Sequence, residues 1–410
     1  MITPTDRASS PPTTASKAAG LRVMVSCGEA SGDLYGGALV SALREIDPAL
    51  QPFGFGGEHL RTAGAELIGD YRGFSVTGLS EAVAVLPRSW RMLRQLGEAA
   101  HERRPDVFVA IDFPDFNFRL LPAMKKLGIP IVYYVSPQVW AWRPGRLETI
   151  RRYVDKMLVI FPFEAELYTQ AGVPVEFVGH PLLDLAKPSR TRAEFLPAAG
   201  LDPEKPVIAL LPGSRANEVR RILPRLLDAA ALTRAQVPGV QILIARAPSL
   251  DDSLFAPVST SRATGLRVAM VEGAADDVLA SADVVVTASG TATVQAALHG
   301  RPMVIVYRLS PLTYTVGRSV VRVSTYGMVN LVAGRTIVPE LIQDRFTPDA
   351  VARETVSLLT DHMRVETMRR DLAEMRARLG GPGASRRAAA AVQRAGSALH
   401  RFDPTARKAT

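Results

Sequence analysis

The stretch Pro206–Leu227, PVIALLPGSRANEVRRILPRLL, decides the fold. Its apolar run Val207–Leu211 is short, with Pro206 before it and Pro212-Gly213 after it, and reads as a fully buried strand. A sharp Pro-Gly-Ser-Arg turn follows. Val219, Ile222, Leu223, Leu226 and Leu227 then recur on one side of a helix. Pro224 lacks an N–H and crowds the carbonyl four residues back, so the regular helix is expected to start later than Asn217. A strand, a glycine-containing turn and a helix aim free N–H groups and a helix dipole at one point, which suits an anion. Arg215 adds a planar, always charged fork that matches a pair of phosphate oxygens. Taken alone, the stretch also reads as a surface turn with an incidental Arg. It is not a Walker loop, because G-x-x-x-x-G-K-[ST] is absent.

Downstream, the same alternation continues. Strands are expected at Val240–Ala245, Leu266–Val271, Asp283–Thr287 and Met303–Val306, with helices between. After Thr287, Ala288-Ser289-Gly290-Thr291-Ala292-Thr293 leads into a helix with Val294, Ala297 and Leu298, a second turn able to hold phosphate on N–H and hydroxyl groups. From Ala350 the chain reads as helical, broken by Gly380-Gly381-Pro382-Gly383.

Upstream, Leu21–Ser26, Gln51–Gly57, Asp106–Ile111, Ile129–Val135, Lys156–Phe161 and Val175–Val178 read as strands. The first runs into Gly28-Glu29-Ala30-Ser31-Gly32-Asp33 and a helix, like the opening β-turn-α of a doubly wound sheet. It is not G-x-G-x-x-G, so a dinucleotide site is not expected. Asp112 stands just past a strand's carboxyl end, where an open parallel sheet lines its ligand crevice. Its plainer reading is a helix N-cap ahead of Pro114, and Asp115 competes for either role. Ser136–Arg143 is a long non-periodic loop with two tryptophans. Ser75–Arg104 reads as a helix in which Val83, Leu86, Trp90, Leu93 and Leu96 alternate with Arg88, Arg91 and Arg94. That pattern suits a membrane surface, or a sheet-packing helix with a solvated basic face. A polar, proline-containing linker from Gly179 to about Pro206 marks the domain boundary.

A chain of 410 residues leads us to expect two domains. Apolar residues make up 47 % and charged residues 22 %, the balance of a globular protein rather than a disordered one. One cysteine, Cys27, excludes a disulfide framework and a cysteine zinc site. No apolar run reaches the ~18 residues needed to span a bilayer. The first 20 residues have no apolar core for export and read as a disordered tail. The net charge of +9 fits nucleic acid, anionic lipid or a phosphorylated substrate. No nucleic-acid module motif is present, which favours the last two.

Several stretches together resemble one family, the bacterial lipid A disaccharide synthases. They are GEASGD (Gly28–Asp33), DVFVAIDFPDFN (Asp106–Asn117), YVSPQVWAWR (Tyr134–Arg143), FPFE (Phe161–Glu164), FVGHP (Phe177–Pro181), LPGSR (Leu211–Arg215) with Glu218-Val219, ASGTAT (Ala288–Thr293) and NLVAGR (Asn330–Arg335). They keep the family's order over roughly Leu21–Glu340. The resemblance implies an α/β fold of GT-B type, two Rossmann-like doubly wound domains facing across a cleft. Residues 21–190 would form the acceptor-binding domain and 200–375 the UDP-sugar-binding domain. Residues 376–402 would hold a helix packing back on the first domain or on a partner subunit.

The implied reaction moves 2,3-diacylglucosamine from UDP to 2,3-diacylglucosamine 1-phosphate, forming a β-1,6-linked disaccharide and UDP. No metal or other cofactor is implied. The implied partners are the UDP-diacylglucosamine donor, the acylated glucosamine 1-phosphate acceptor and the anionic inner face of the cytoplasmic membrane. Exchange of the C-terminal segment would add a second copy of the chain. Asp112 matches the family's catalytic base. Arg215, Ser289, Gly290, Thr291 and Asn330 match UDP-binding positions, and Glu29 and Ser31 match cleft residues near the reacting sugar. Gln295 departs from the pattern, standing where the family has an acid placed to grip ribose. Val329 departs too, replacing a proline. The competing readings are a UDP-sugar 2-epimerase of the same fold and a binding protein without activity.

Overall fold

The computed structural model describes residues 20–72, 79–139, 145–248, 250–263, 265–308 and 327–400. The N-terminal tail, Trp140, Trp142, Arg143 and the end past Phe402 lie outside the described residues, as does the side chain of Val83.

Two parallel sheets organise the chain. The first contains β1 (Arg22–Cys27), β2 (Gln51–Gly56), β3 (Glu66–Asp70), β4 (Val107–Ile111), β5 (Ile131–Tyr134), β6 (Lys156–Val159) and β7 (Val175–Phe177), in the order β3-β2-β1-β4-β5-β6-β7. The second contains β8 (Val207–Leu211), β9 (Gln241–Arg246), β10 (Val268–Glu272), β11 (Val284–Ala288), β12 (Met303–Tyr307) and β13 (Glu340–Ile342), in the order β10-β9-β8-β11-β12-β13. The chain is thus an α/β protein of two doubly wound halves. Inner strands such as VMVSC, VFVAI and VIALL are buried on both faces, as parallel strands covered by helices must be.

Strand order reverses between β1 and β4 in one sheet and between β8 and β11 in the other, which is where such sheets open a ligand crevice. Register decides which turns become neighbours there. Cys27 pairs with Ile111, so the Gly28-Glu29 and Asp112-Phe113 turns emerge side by side. Leu211 pairs with Thr287, so the Gly213–Arg215 and Ser289–Thr291 turns do the same.

Three local expectations are corrected. The helix after β8 runs unbroken over Ala216–Gln236, with Pro224 inside it. The carbonyl that Pro224 leaves without a partner belongs to exposed Arg220, where water is at hand, and burial of Val219, Ile222, Leu223, Leu226 and Leu227 outweighs the loss. Strands β3 and β13 were not expected. Both are sheet edges, part-exposed and without a continuous apolar run. In the helix Leu79–Arg103, Leu93 and Leu96 pack into the core under the first sheet, so Leu93 takes no part in an exposed basic-apolar face.

Among the described residues the chain crosses between the halves twice, and the crossings are tied together. His180 N donates to Leu379 O at 2.9 Å, and Asp184 accepts from Gly383 N and Ala384 N. Beyond this knot the helix Ala384–His400 lies on the first half, where Arg386 pairs with Glu45 and Arg394 with Glu176. Gly396 fits there because a Cβ would come 2.8 Å from Leu21. His180 is buried beside Tyr35 and Phe161, and burial pulls its pKa down to about 3, so it stays neutral and structural.

Candidate active site

The turn after β4 is strained and heavily braced. Asp112 and Phe113 both have left-handed backbones, with φ of 43° and 49°, a conformation that costs free energy in residues with a Cβ and marks functional turns. Asn117 Nδ2 and the Tyr133 hydroxyl each donate to Asp112 O at 2.8 Å. Asn117 is itself fixed by the Ser26 hydroxyl, which donates to its Oδ1 at 2.6 Å. The Phe113 ring stacks on Phe116 and lies over Gly28, where a Cβ would come 2.1 Å from the ring. Gly28 is therefore needed for close approach. The Asp112 carboxyl is thus presented at the crevice rather than spent on capping: the helix Pro114–Lys126 has Phe113 as its N-cap residue, with no side-chain cap.

Burial raises the Asp112 pKa most, and the like charge of Glu29 adds to it. The Phe113 N–H and Arg215 oppose them, leaving the carboxyl at about 7. A carboxyl poised near neutrality can take a proton from a substrate at working pH. Asp115 offers a different environment. Its side chain is 75 % exposed and ion-paired with Arg146.

Arg215 stands across the crevice, on the turn after β8. Its Nη2 donates to Glu29 Oε1 at 2.6 Å, so the pair joins the two halves. Glu29 is the N-cap residue of the helix Ala30–Ile46 but makes no side-chain cap bond, which leaves its carboxylate to reach Arg215. Glu218 folds back beneath the turn. It accepts from Ser214 N at 3.2 Å and lies 3.7 Å from Arg215. Burial first of all lifts its pKa above the usual value. Gly213, with φ of 123°, leaves the room that Glu218 occupies. Two carboxylates thus surround one guanidinium where phosphate oxygens would find the same donors.

The neighbouring turn carries Ser289, Gly290 and Thr291. Thr291 is exposed and Ser289 half-buried. The helix Thr291–Leu298 starts without a side-chain cap, so its first N–H groups can serve an anion. Ser31 is half-buried in the first turn of the helix beside Glu29.

Asn330 is engaged within the fold through its side chain. It is 1 % exposed, and both donors and both lone pairs of its side chain are used internally. Nδ2 donates to Val338 O and Glu340 Oε1, and Oδ1 accepts from Ile337 N and Val338 N. Its side chain thus shapes the loop before β13, with its donors and acceptors spent there.

Gln295 is engaged as well, donating to Asp276 Oδ1 at 3.0 Å. Sequence reasoning missed the bracing roles of Asn117, Tyr133 and Glu218. Asn117 and Glu218 lie within the motifs, but Tyr133 is one aromatic in an apolar strand and carries no signal. Among the described residues, no group of three or more His, Cys, Asp or Glu side chains is arranged to hold a metal ion.

Comparison with known proteins fits this geometry. A family profile described as lipid-A-disaccharide synthetase matches residues 23–395. The lipid-A-disaccharide synthases of Geobacter metallireducens and Myxococcus xanthus are each 45 % identical over 371 residues, covering 90 % of this chain and 96 % of theirs. Among solved structures, the UDP-GlcNAc 2-epimerase of Neisseria meningitidis bound to UDP-GlcNAc aligns with a TM-score of 0.61 at 10 % identity, over 93 % of this chain and 99 % of that one. The calicheamicin glycosyltransferase aligns with a TM-score of 0.57 at 17 % identity, over 94 % and 100 %. At such identities these structures show the two-domain fold alone, and the epimerase reading gains nothing further from them. The chain belongs to the lipid-A-disaccharide synthetase family and is a glycosyltransferase.

Proposed function

We propose that the chain transfers a 2,3-diacylglucosaminyl group from UDP to the 6-hydroxyl of 2,3-diacylglucosamine 1-phosphate, with inversion. The observation that carries this reading is the opposition of Asp112 and Arg215 on the two walls of one crevice, linked through Glu29. The acceptor hydroxyl is a poor nucleophile while protonated, and Asp112, titrating at about 7, takes that proton as the new C–O bond forms. Positive charge develops near the anomeric carbon, and the carboxylate favours that charge too. On the opposite wall the departing diphosphate gathers negative charge. Arg215 exchanges its carboxylate partners for phosphate oxygens, and the N–H groups at the starts of the helices Ala216–Gln236 and Thr291–Leu298 add to its field. Ser289, Gly290 and Thr291 line the donor side, and Glu29 and Ser31 the sugar side. The test is incubation with both substrates. The reading requires an acylated disaccharide and UDP in equal amounts. Epimerised UDP-sugar, or binding without turnover, would refute it.

The substrates are lipids, and the reading places the protein at the anionic face of the cytoplasmic membrane. Trp90 is 59 % exposed, Leu86 is exposed beside it, and Arg88, Arg91 and Arg94 stand out around them. The Arg119 guanidinium lies 5.2 Å over the Trp90 ring, adding a cation to this patch. Among the described residues, no helix is long and apolar enough to cross a membrane. Each cation near an anionic leaflet contributes on the order of 1 kcal/mol. Replacing Arg88, Arg91 and Arg94 by Ser therefore releases the protein from anionic vesicles. Unchanged binding in a flotation assay would leave the patch as a solvated helix face. Exchange of the C-terminal helix with a second copy also belongs to this reading, and the oligomeric state in solution tests it.

A further inference from the structure

Thr291, Gln295 and His299 follow one another at intervals of four, so they share one face in and just beyond the helix Thr291–Leu298. Thr291, at the crevice end, is exposed. Alongside this face, a single oxygen of Asp276 receives two contacts. Gln295 Nε2 donates to Asp276 Oδ1 at 3.0 Å, and His299 Nε2 lies 2.8 Å from the same atom. The other oxygen, Oδ2, has no partner among the described residues, and the Asp276 side chain is 24 % exposed. The next residue makes the contrast. Asp277 is buried and saturated by Ser189 and Arg190. One acid is consumed in structure, while its neighbour is steered by two side chains and left with an open oxygen.

Asp276 opens the helix Ala275–Ser281, which follows β10. The loops after β8, β10 and β11 all leave parallel strands at the same sheet edge, so Asp276 shares that edge with Arg215 and Ser289. A fixed carboxylate beside a diphosphate-binding turn in a doubly wound sheet has a natural counterpart, the hydroxyls of the nucleoside's ribose. Ionised carboxylates make the shorter, stronger bonds to such hydroxyls. Gln295 supplies no charge, but it holds one in place.

We propose that Asp276, aimed by Gln295 and His299, binds the ribose hydroxyls of the donor nucleotide and makes the site selective for ribo- over 2′-deoxyribonucleotides. This rests on the donor reading above. The test measures binding of UDP and of 2′-deoxy-UDP by calorimetry, with wild type, Asp276→Ala and Asp276→Asn. Wild type is expected to prefer UDP by about tenfold or more, as for a hydrogen bond to a charged group. Both variants are expected to bring the ratio close to one by weakening UDP while leaving 2′-deoxy-UDP nearly unchanged. Asp276→Asn keeps the shape and the link to Gln295, so it reports even where the Ala variant fails to fold. A folded variant that binds UDP and keeps the wild-type ratio overturns the proposal and leaves the donor reading standing. Wild type that binds neither nucleotide overturns both.

Discussion

The turns after β4 and β8 face each other across one crevice and are built in opposite ways. The first is fixed by strain and bracing: two consecutive left-handed residues, Asp112 and Phe113, are pinned by Asn117, Tyr133 and the contact of Phe113 with Gly28. The second relies on reach. Gly213 absorbs the awkward backbone, and Arg215 extends to Glu29 across the gap while Glu218 supports the turn. The difference suits the chemistry proposed for each wall. A proton transfer tolerates little displacement of the base, so its backbone is over-determined. A guanidinium meeting a flexible diphosphate needs charge and a fork more than a fixed position. Glu29 ties the two designs together, because it pairs with Arg215 and also helps to raise the Asp112 pKa.

This contrast can be broken most severely at Asp112. Asp112→Asn keeps the shape and the backbone bonds but cannot accept a proton. Turnover is expected to fall by about 10²–10⁴-fold with UDP binding intact. Near-normal turnover in that variant, together with its loss in Asp115→Asn, would move the base to the exposed carboxylate. On the other wall, Arg215→Ala should weaken UDP binding by about 1.5–3 kcal/mol, roughly ten- to 150-fold, and Arg215→Lys should rescue it only in part because the fork is lost. A titration showing UDP affinity unchanged in Arg215→Ala would end the idea of a reaching arginine. A smaller effect should come from the brace. Asn117→Ala leaves Ser26 and the Asp112 carbonyl short of partners and should cost about 1–3 kcal/mol of unfolding free energy. It should also lower kcat more than it changes UDP affinity. If it destabilises the protein without touching kcat, the brace serves the fold and not the base.

Much of this was legible in the sequence, for a physical reason. Inner parallel strands are short apolar runs bounded by turns, so VIALL and VFVAI announce themselves, and the glycine-containing turns at their ends follow. Asp112 and Arg215 could be placed because residues just past such strands face the crevice. What escaped depended on contacts between distant residues. Strands β3 and β13 are edges whose pairing is carried by the backbone, and their sequences carry no continuous apolar run. Pro224 was read by its local cost, which tertiary burial overrides. Leu93 and Trp90 look alike in a basic amphipathic pattern, yet one is core and the other surface. The Asn330 side chain closes a loop whose partners lie seven to ten residues on, a role that its motif does not announce. Asp276 gave no signal, because its relation to Gln295 exists only once two helices are set side by side.

The central claim is that Asp112 is the base and that its surroundings hold it at about 7. The pH dependence of kcat/KM tests it most directly, because that ratio reports the ionisations of the free enzyme. The base works when ionised, so protonation removes activity as pH falls. The profile should be level above about 7 and drop about tenfold per pH unit below it, and Asp112→Asn should lose that acid limb. An acid limb displaced to the ordinary aspartate range near about 4, or one that persists in Asp112→Asn, would contradict the account.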